Sequence, residues 1–299
     1  MFGGDGTMNS KKRSKAYRVD DPGRFRLSDF DPAGDGRLDK DEVNAILVTD
    51  IERLRELQER LHADGRWAIL VVLQAMDAAG KDGVIKHVMS GLNPQGCMVH
   101  SFKPPNPDEL AHDFLWRSAL FLPERGYIGI HNRSHYEEVL SVRVRPQYLK
   151  AQRIPETLVG KDIWKHRFKS IRAFERHLAR NGTVVLKFFL HISKEEQKRR
   201  FLDRLEQPGK RWKFSMGDVE DRKLWDKYMA AYEDAIRATS RPEAPWYVVP
   251  ADHKPFARLV VAQVLIEALE GLDLKFPKVD AAGLKEMDEV TRALLAEKD

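Results

Sequence analysis

From Asp41 onward, apolar residues recur at helical spacing. Val43, Ile46, Leu47, Ile51, Leu54, Leu57 and Leu61 form one stripe, which stops at Gly65. The period then changes. Ala68 to Leu73 is an unbroken apolar run, the pattern of a strand covered on both faces. Further along, the pattern predicts strands over 99–102, 127–130, 184–192 and 246–249. It predicts helices over 81–89, 107–120, 162–180, 218–238 and 253–269. Ser193, with Glu196 three residues on, opens another helix as a capping box. Helices that separate strands imply an α/β fold, a three-layer α/β/α arrangement around a mostly parallel sheet. Residues 1–40 lack the period and read as a mobile arm that packs at most locally. No repeat or long linker interrupts residues 41–272, which read as one domain. In the tail, 273–299, Leu284, Met287, Val290, Leu294 and Leu295 outline an amphipathic helix, to dock on the body or on a second subunit.

Composition narrows the class. Of 299 residues, 42% are hydrophobic and 32% charged, which suits a soluble globular chain with a sizeable core. The longest apolar stretch, 67–76, is interrupted by Gln74 and is about half as long as a membrane helix. The opening MFGGDGTMNSKKRSK has no apolar signal-peptide core. Cys97 is the single cysteine, so a reducing cytoplasm is the expected location. A net charge of +5 favours anionic partners, although the position of the charge matters more than its sum.

Two segments carry candidate chemistry. The first buried run ends in Ala75-Met76-Asp77-Ala78-Ala79-Gly80-Lys81-Asp82-Gly83 and then a helix. Strand, small-residue turn, Gly-Lys, helix is the context of a phosphate-binding loop, in which backbone N–H groups and a lysine cradle phosphate oxygens. Ala75 stands where such loops carry their first glycine, and Asp82 replaces the usual hydroxyl. Asp77 is either a metal or acceptor ligand or a turn former. The second segment, Tyr127 to Ile130, ends in His131-Asn132-Arg133-Ser134-His135-Tyr136-Glu137-Glu138. Ligands bind beyond the carboxyl ends of parallel strands, so both segments are candidates for one crevice. Arg133 is a candidate phosphate clamp, and Glu137 or Glu138 a candidate magnesium ligand. Helix caps and surface charge are the alternative. His131 and His135 straddle a strand end and do not read as a transition-metal pair.

Lys194, Lys198, Arg199, Arg200, Arg204, Lys210, Arg211 and Lys213 crowd around Pro208-Gly209, with Trp212 and Phe214 nearby. They read as a basic lid over phosphates, against the alternative of a solvated helix face. Asp31, Asp35, Gly36, Leu38, Asp39 and Glu42 match parts of a calcium loop. Ala33 breaks the third position and no helix leads in, so no EF-hand is expected.

Assembled in order, these segments resemble the polyphosphate kinase 2 family. The resemblance rests on LVVLQAMDAAGKDG (70–83), VMSGLNPQGCMVHSFKPP (88–105), DFLWR (113–117), PERGYIGIHNRSHYEEVLSVRV (123–144), LKFFLHISKEEQKRRFLDRLEQPGKRWKFS (186–215) and APWYVVPADHKPFARL (244–259). It implies a P-loop kinase core of the thymidylate-kinase type with a helical lid at about 194–238. It also implies magnesium-dependent (or manganese-dependent) transfer between inorganic polyphosphate and AMP, ADP or ATP, with the guanine nucleotides as further candidates. The family's degenerate Walker A segment falls on Asp77, Gly80 and Lys81, and its Walker B-like segment on Asn132, Arg133 and Ser134. The N-R-S-H-Y-E form is similar to the subgroup that phosphorylates both AMP and ADP. Ala75, His131 and Glu138 depart from the family pattern.

The expected roles follow from that resemblance. Asp77, Lys81, Arg133 and Glu137 are the catalytic set, with Asp77 and Glu137 holding the metal. Ala78, Ala79, Gly80, Asp82, Gly83, Asn132 and Ser134 bind phosphate and nucleotide. Lys194, Arg199, Arg200, Arg204 and Lys210 hold polyphosphate from the lid. No nucleic acid or membrane partner is expected, whereas a homo-oligomer is. An ATP-dependent nucleotide kinase and a non-catalytic nucleic-acid-binding protein remain as rivals.

Overall fold

The computed structural model describes residues 10–297. Five strands form one sheet: β1 (Ala68–Ala75), β2 (Cys97–Ser101), β3 (Ile128–Asn132), β4 (Thr183–His191) and β5 (Trp246–Pro250). Their order is β2-β3-β1-β4-β5, and every pairing is parallel. The helices are α1 (Ser10–Tyr17), α2 (Lys40–Asp64), α3 (Lys81–Val88), the short α4 (Trp116–Ala119), α5 (Ser141–Val144) and α6 (Pro146–Ala151), α7 (Ile163–Arg180), α8 (Lys194–Glu206), α9 (Met216–Lys223), α10 (Trp225–Thr239), α11 (Lys254–Glu270) and α12 (Ala281–Ala296). They flank the sheet: α2 and α3 pack with α11, and α7 packs with α10. The central strand β1 is buried at every position, as its unbroken apolar run requires. Among the described residues no helix is long and apolar enough to cross a membrane.

Local chemistry sets the element ends. Asp39 caps α2 by accepting from the N–H of Glu42, whose side chain accepts in return from the N–H of Asp39. Asp39 and Glu42 are therefore engaged in a helix start. Gly65, at φ +63°, ends α2 in the left-handed region. Gly129 on β3 is needed for close approach, because a Cβ there would lie 2.8 Å from Pro123.

The structure departs from the pattern in three places. Residues 107–120 do not form one helix, only a 3-10 turn at Glu109–Ala111 and the single turn α4. The Asp113 carboxylate captures the N–H of Leu115, which restarts the chain instead of continuing the helix. Residues 218–238 are split at Leu224 into α9 and α10. The arm is not mobile throughout. Val19, Phe25 and Leu27 are buried in the core, and the N–H of Val19 donates to Trp246 O on β5. Three core residues at irregular spacing leave no period to read. Residues 1–9 of that arm lie outside the described residues. In α12, Leu284, Met287, Val290, Leu294 and Leu295 are exposed.

A buried charge network lies beneath the second candidate segment. The Lys187 ammonium on β4 donates to Glu175 Oε2 (2.6 Å), Tyr136 Oη (3.0 Å) and Thr239 O (2.9 Å). Tyr136 donates to Glu175 Oε1 at 2.7 Å, and His135 Nε2 lies 3.6 Å from the same oxygen. All four side chains are inaccessible or nearly so. Removing one member of such a pair strands a charge in the core. Glu175→Gln should therefore lower the unfolding free energy by about 3 kcal/mol. Replacing both partners, Glu175→Leu with Lys187→Met, should recover most of that loss. Urea denaturation of the two variants, followed by tryptophan fluorescence, checks the contrast.

Candidate active site

Parallel pairing places the two candidate turns side by side. Leu73 of β1 is in register with Asn132 of β3, and the N–H of Arg133 donates to Leu73 O at 3.0 Å. The connections leaving β1 and β3 run to opposite sides of the sheet, which opens a crevice at their carboxyl ends. Each turn holds a non-glycine residue in the left-handed region, Ala78 at φ +65° and Arg133 at φ +64°. Such strain costs about 1–2 kcal/mol per residue and collects at functional sites. Gly80, at φ +114°, leads directly into α3, whose N-terminus points its free N–H groups at the crevice.

The charged side chains converge there. Arg133 donates to Asp77 Oδ1 at 2.7 Å and lies 3.9 Å from Glu137 Oε2. Glu137 and Asp77 hold the Arg133 guanidinium well above its ordinary pKa. Lys81 is buried and donates to Ala75 O at 3.2 Å. Burial and the neighbouring Arg133 lower its pKa, while Asp77, Glu137 and Asp82 act in the opposite direction. Asn132 donates to Asp82 Oδ1 at 3.0 Å, which ties the two turns together. Ser134 caps the following 3-10 turn by accepting from the N–H of Tyr136. Glu138 faces away from this cluster. It is buried against Arg167 (2.9 Å) and lines a separate cavity of about 370 Å³.

Asp77 to Val84, Asn132 and Arg133 line a cleft of about 820 Å³, whereas Glu137 and the buried Ser134 lie behind Arg133 and do not line it. Of the basic segment, Arg200, Arg204 and Lys210 line it, whereas Lys194 and Arg199 do not. Arg199 is paired with Glu196 and Asp203 on the surface of α8. Arg200 is a buried clamp. Its guanidinium donates to the carbonyls of Ala78, Ala79, Ala251 and Asp252 and to Glu196, so its donors are spent on the turn, on the segment after β5 and on its own helix. Glu196 is thus drawn to the arginines, and the N–H of Ser193 donates to Asp252 instead of closing the capping box. Trp212, noted beside the basic segment, lines the cleft, as do Lys103, Asp218, Lys254 and Arg258, which were not singled out by sequence reasoning as site residues. Lys254 and Arg258 stand four apart at the start of α11, a spacing that could have exposed them. Lys103 is an isolated lysine in a loop and carries no such signal.

The chain is similar to known proteins over nearly its whole length. The model of the family described as Polyphosphate kinase 2 (PPK2) matches residues 37–277. The chain belongs to the polyphosphate kinase 2 family. It is 49% identical over 287 residues to the ADP-polyphosphate phosphotransferase of Rhodopseudomonas palustris, covering 95% of this chain and 99% of that one. It is 48% identical over 273 residues to the AMP/ADP-polyphosphate phosphotransferase of Meiothermus ruber, covering 91% and 98%. The crystal structure of Polyphosphate Kinase 2 from Arthrobacter aurescens TC1 superposes with a TM-score of 0.86 at 39% identity, over 98% of this chain and 99% of that one.

In this polyphosphate kinase 2 family member, the carboxylates of the cleft suit a divalent cation. Magnesium takes one or two carboxylates and fills its other positions with water and substrate phosphates, so no cage of protein ligands is required. Among the described residues there is no group of three or more His, Cys, Asp or Glu arranged to hold a metal. Asp218 is a half-buried carboxyl on the wall of the cleft. Burial, with Asp77 adding to it, pushes its carboxyl up to about 6, against the pull of Arg204 and Arg133. Its folded pKa thus exceeds the unfolded value of 3.8, so the fold binds this proton more tightly. Stability from this group is present below pH 4 and is lost as the pH rises through 6. Asp218→Asn should therefore raise the stability of the metal-free protein at pH 7.5 by about 1 kcal/mol, after allowance for solvent screening. The gain should vanish near pH 4. Thermal melts of both proteins in chelator at the two pH values check the sign.

Proposed function

We propose that this chain transfers phosphoryl groups between inorganic polyphosphate and adenine nucleotides, converting AMP to ADP and ADP to ATP. One observation carries the reading: the phosphate-binding turn and the Arg133 turn open into a single cleft whose cationic wall continues through Arg204, Lys210, Lys254 and Arg258. That wall suits a long phosphate chain beside the shorter phosphates of a nucleotide. The names of the Rhodopseudomonas palustris and Meiothermus ruber relatives support the same activity. We place it in the cytoplasm, where the lone Cys97 would stay a thiol.

We assign the roles from this arrangement. The N–H groups at the start of α3, with Lys81, hold the transferring phosphoryl group. Arg133, aimed by Asp77 and Glu137, neutralises the charge that develops on it. Asp77 and Glu137 are the residues that would hold magnesium, which supplies charge neutralisation between donor and acceptor phosphates. Arg200 stays beneath the turn as its clamp, and Arg204 and Lys210 meet the polyphosphate from the wall of the cleft. Alignment and electrostatic stabilisation suffice, with no covalent enzyme intermediate. Incubating the protein with polyphosphate as sole donor and ADP as acceptor tests the reading. ATP should appear, and its absence would remove it.

Lys81 and Asp77 give the first kinetic expectation. Lys81→Ala should lower kcat roughly 100-fold, a loss of ~3 kcal/mol of transition-state stabilisation, with an unchanged circular dichroism spectrum. Asp77→Asn keeps the side-chain shape, so a comparable loss across a magnesium titration marks a ligand, and full activity marks a turn former. The second expectation concerns the acceptor. AMP places its terminal phosphate one unit farther from the donor than ADP does, and we assign its support to Glu137, which lies beside Arg133. Glu137→Gln should depress AMP phosphorylation about tenfold more than ADP phosphorylation. Equal losses with the two acceptors would give Glu137 a role common to both.

A further inference from the structure

Gln74 is the one polar side chain in the otherwise apolar core of β1, and it is fully inaccessible. A primary amide in that position loses its hydration and its rotamer freedom, so its partners must account for its presence. They lie at the candidate active site. The Gln74 carbonyl oxygen accepts from the N–H of Ser134 and from Ser134 Oγ, each at 3.0 Å. Its NH2 group donates to Glu137 Oε1 at 3.0 Å. The opposite orientation of the amide would face its oxygen to a carboxylate and its nitrogen to an N–H, so the surroundings permit one orientation. Ser134 Oγ in turn accepts from the N–H of Tyr136, which fixes the hydroxyl proton on Gln74. The second carboxylate oxygen, Glu137 Oε2, accepts from Ser141 Oγ.

We propose that Gln74 is a positioning residue for phosphoryl transfer, with its carboxamide relaying the rigid end of β1 to the Glu137 carboxylate by way of the Ser134 turn. The inference rests on the role of Glu137 in the proposed transfer reaction. β1 is hydrogen-bonded on both sides, so its end is a fixed reference. Gln74 and Ser141 grip Glu137 from two elements and hold its oxygens beside Arg133. Without the amide, the carboxylate keeps one partner on α5 and can rotate about its terminal torsion, which is broad and weakly restrained. Groups that orient a ligand side chain in this way typically change activity by about 10–100-fold when removed.

A double-mutant cycle tests the relay, because a residue acting through Glu137 should matter only while Glu137 is present. Gln74→Met preserves length and volume in an apolar surround. With polyphosphate and ADP it should lower kcat by about tenfold, leave the KM for polyphosphate within about twofold, and raise the magnesium needed for half-maximal rate. In a Glu137→Gln background, the same substitution should change kcat by less than about twofold. Gln74→Glu is the second variant. It sets a carboxylate against Glu137, so it should cost more than Gln74→Met, and the excess should vanish when Glu137→Gln is added. Equal factors of loss in the two backgrounds, or unchanged kcat in Gln74→Met, overturn the proposal and leave Gln74 a core residue. The four proteins of the Gln74→Met cycle are also unfolded in urea. Coupling there with no transfer by the wild type would sink the functional reading but keep the contact. Transfer by the wild type without kinetic coupling would sink only the role of Gln74.

Discussion

The hydrogen-bonded ladder of β1, paired in parallel with β3 on one side and β4 on the other, is the constraint on which the site depends. Parallel pairing brings equivalent strand ends to the same edge of the sheet. It therefore sets the Asp77–Lys81 turn against the Arg133–Glu137 turn, although some 50 residues separate them in sequence. The long connections between parallel strands supply the helices that cover the sheet and make β1 fully buried. The two turns hang from that edge: the N-terminus of α3, the strained Ala78 and Arg133, and the carboxylates that aim the guanidinium.

Two layers of buried polar structure hold the edge rigid. Beneath the first turn, Arg200 donates to two of its carbonyls and to two carbonyls following β5, so α8 is tied to the turn and to the β5–α11 loop. Beneath the second, Lys187, Glu175 and Tyr136 form a charge network in the core. A buried pair of this kind adds little net stability compared with apolar side chains of equal volume. What it does provide is direction, because each hydrogen bond admits one orientation of the Tyr136 segment, which carries Glu137. The cleft itself is held in tension. Arg133 sits in a left-handed backbone, and the Asp218 carboxyl is pushed up by burial beside Asp77.

The amino-acid sequence by itself determined the order of the five strands and of the long helices α2, α7 and α11, because a strand buried on both faces and an amphipathic helix leave different periods. It also marked Lys81, Asp77 and Arg133, since Gly-Lys after a buried strand and Asn-Arg-Ser after another are local patterns whose chemistry lies in neighbouring residues. Only the tertiary structure decided which charges are free. Arg199 and Arg200 are adjacent and identical in sequence, yet one is a surface ion pair and the other a buried clamp. Helical rotation of about 100° per residue turns neighbours to different sides, and what each side meets depends on long-range packing. Lys103 and Asp218 come to the cleft from a loop and from α9, and no short-range pattern binds them to each other or to Lys254 and Arg258 on α11. Gln74 read as an interruption in an apolar run. Its meaning came from Ser134 and Glu137, some 60 residues away, which the sheet alone brings within hydrogen-bonding distance.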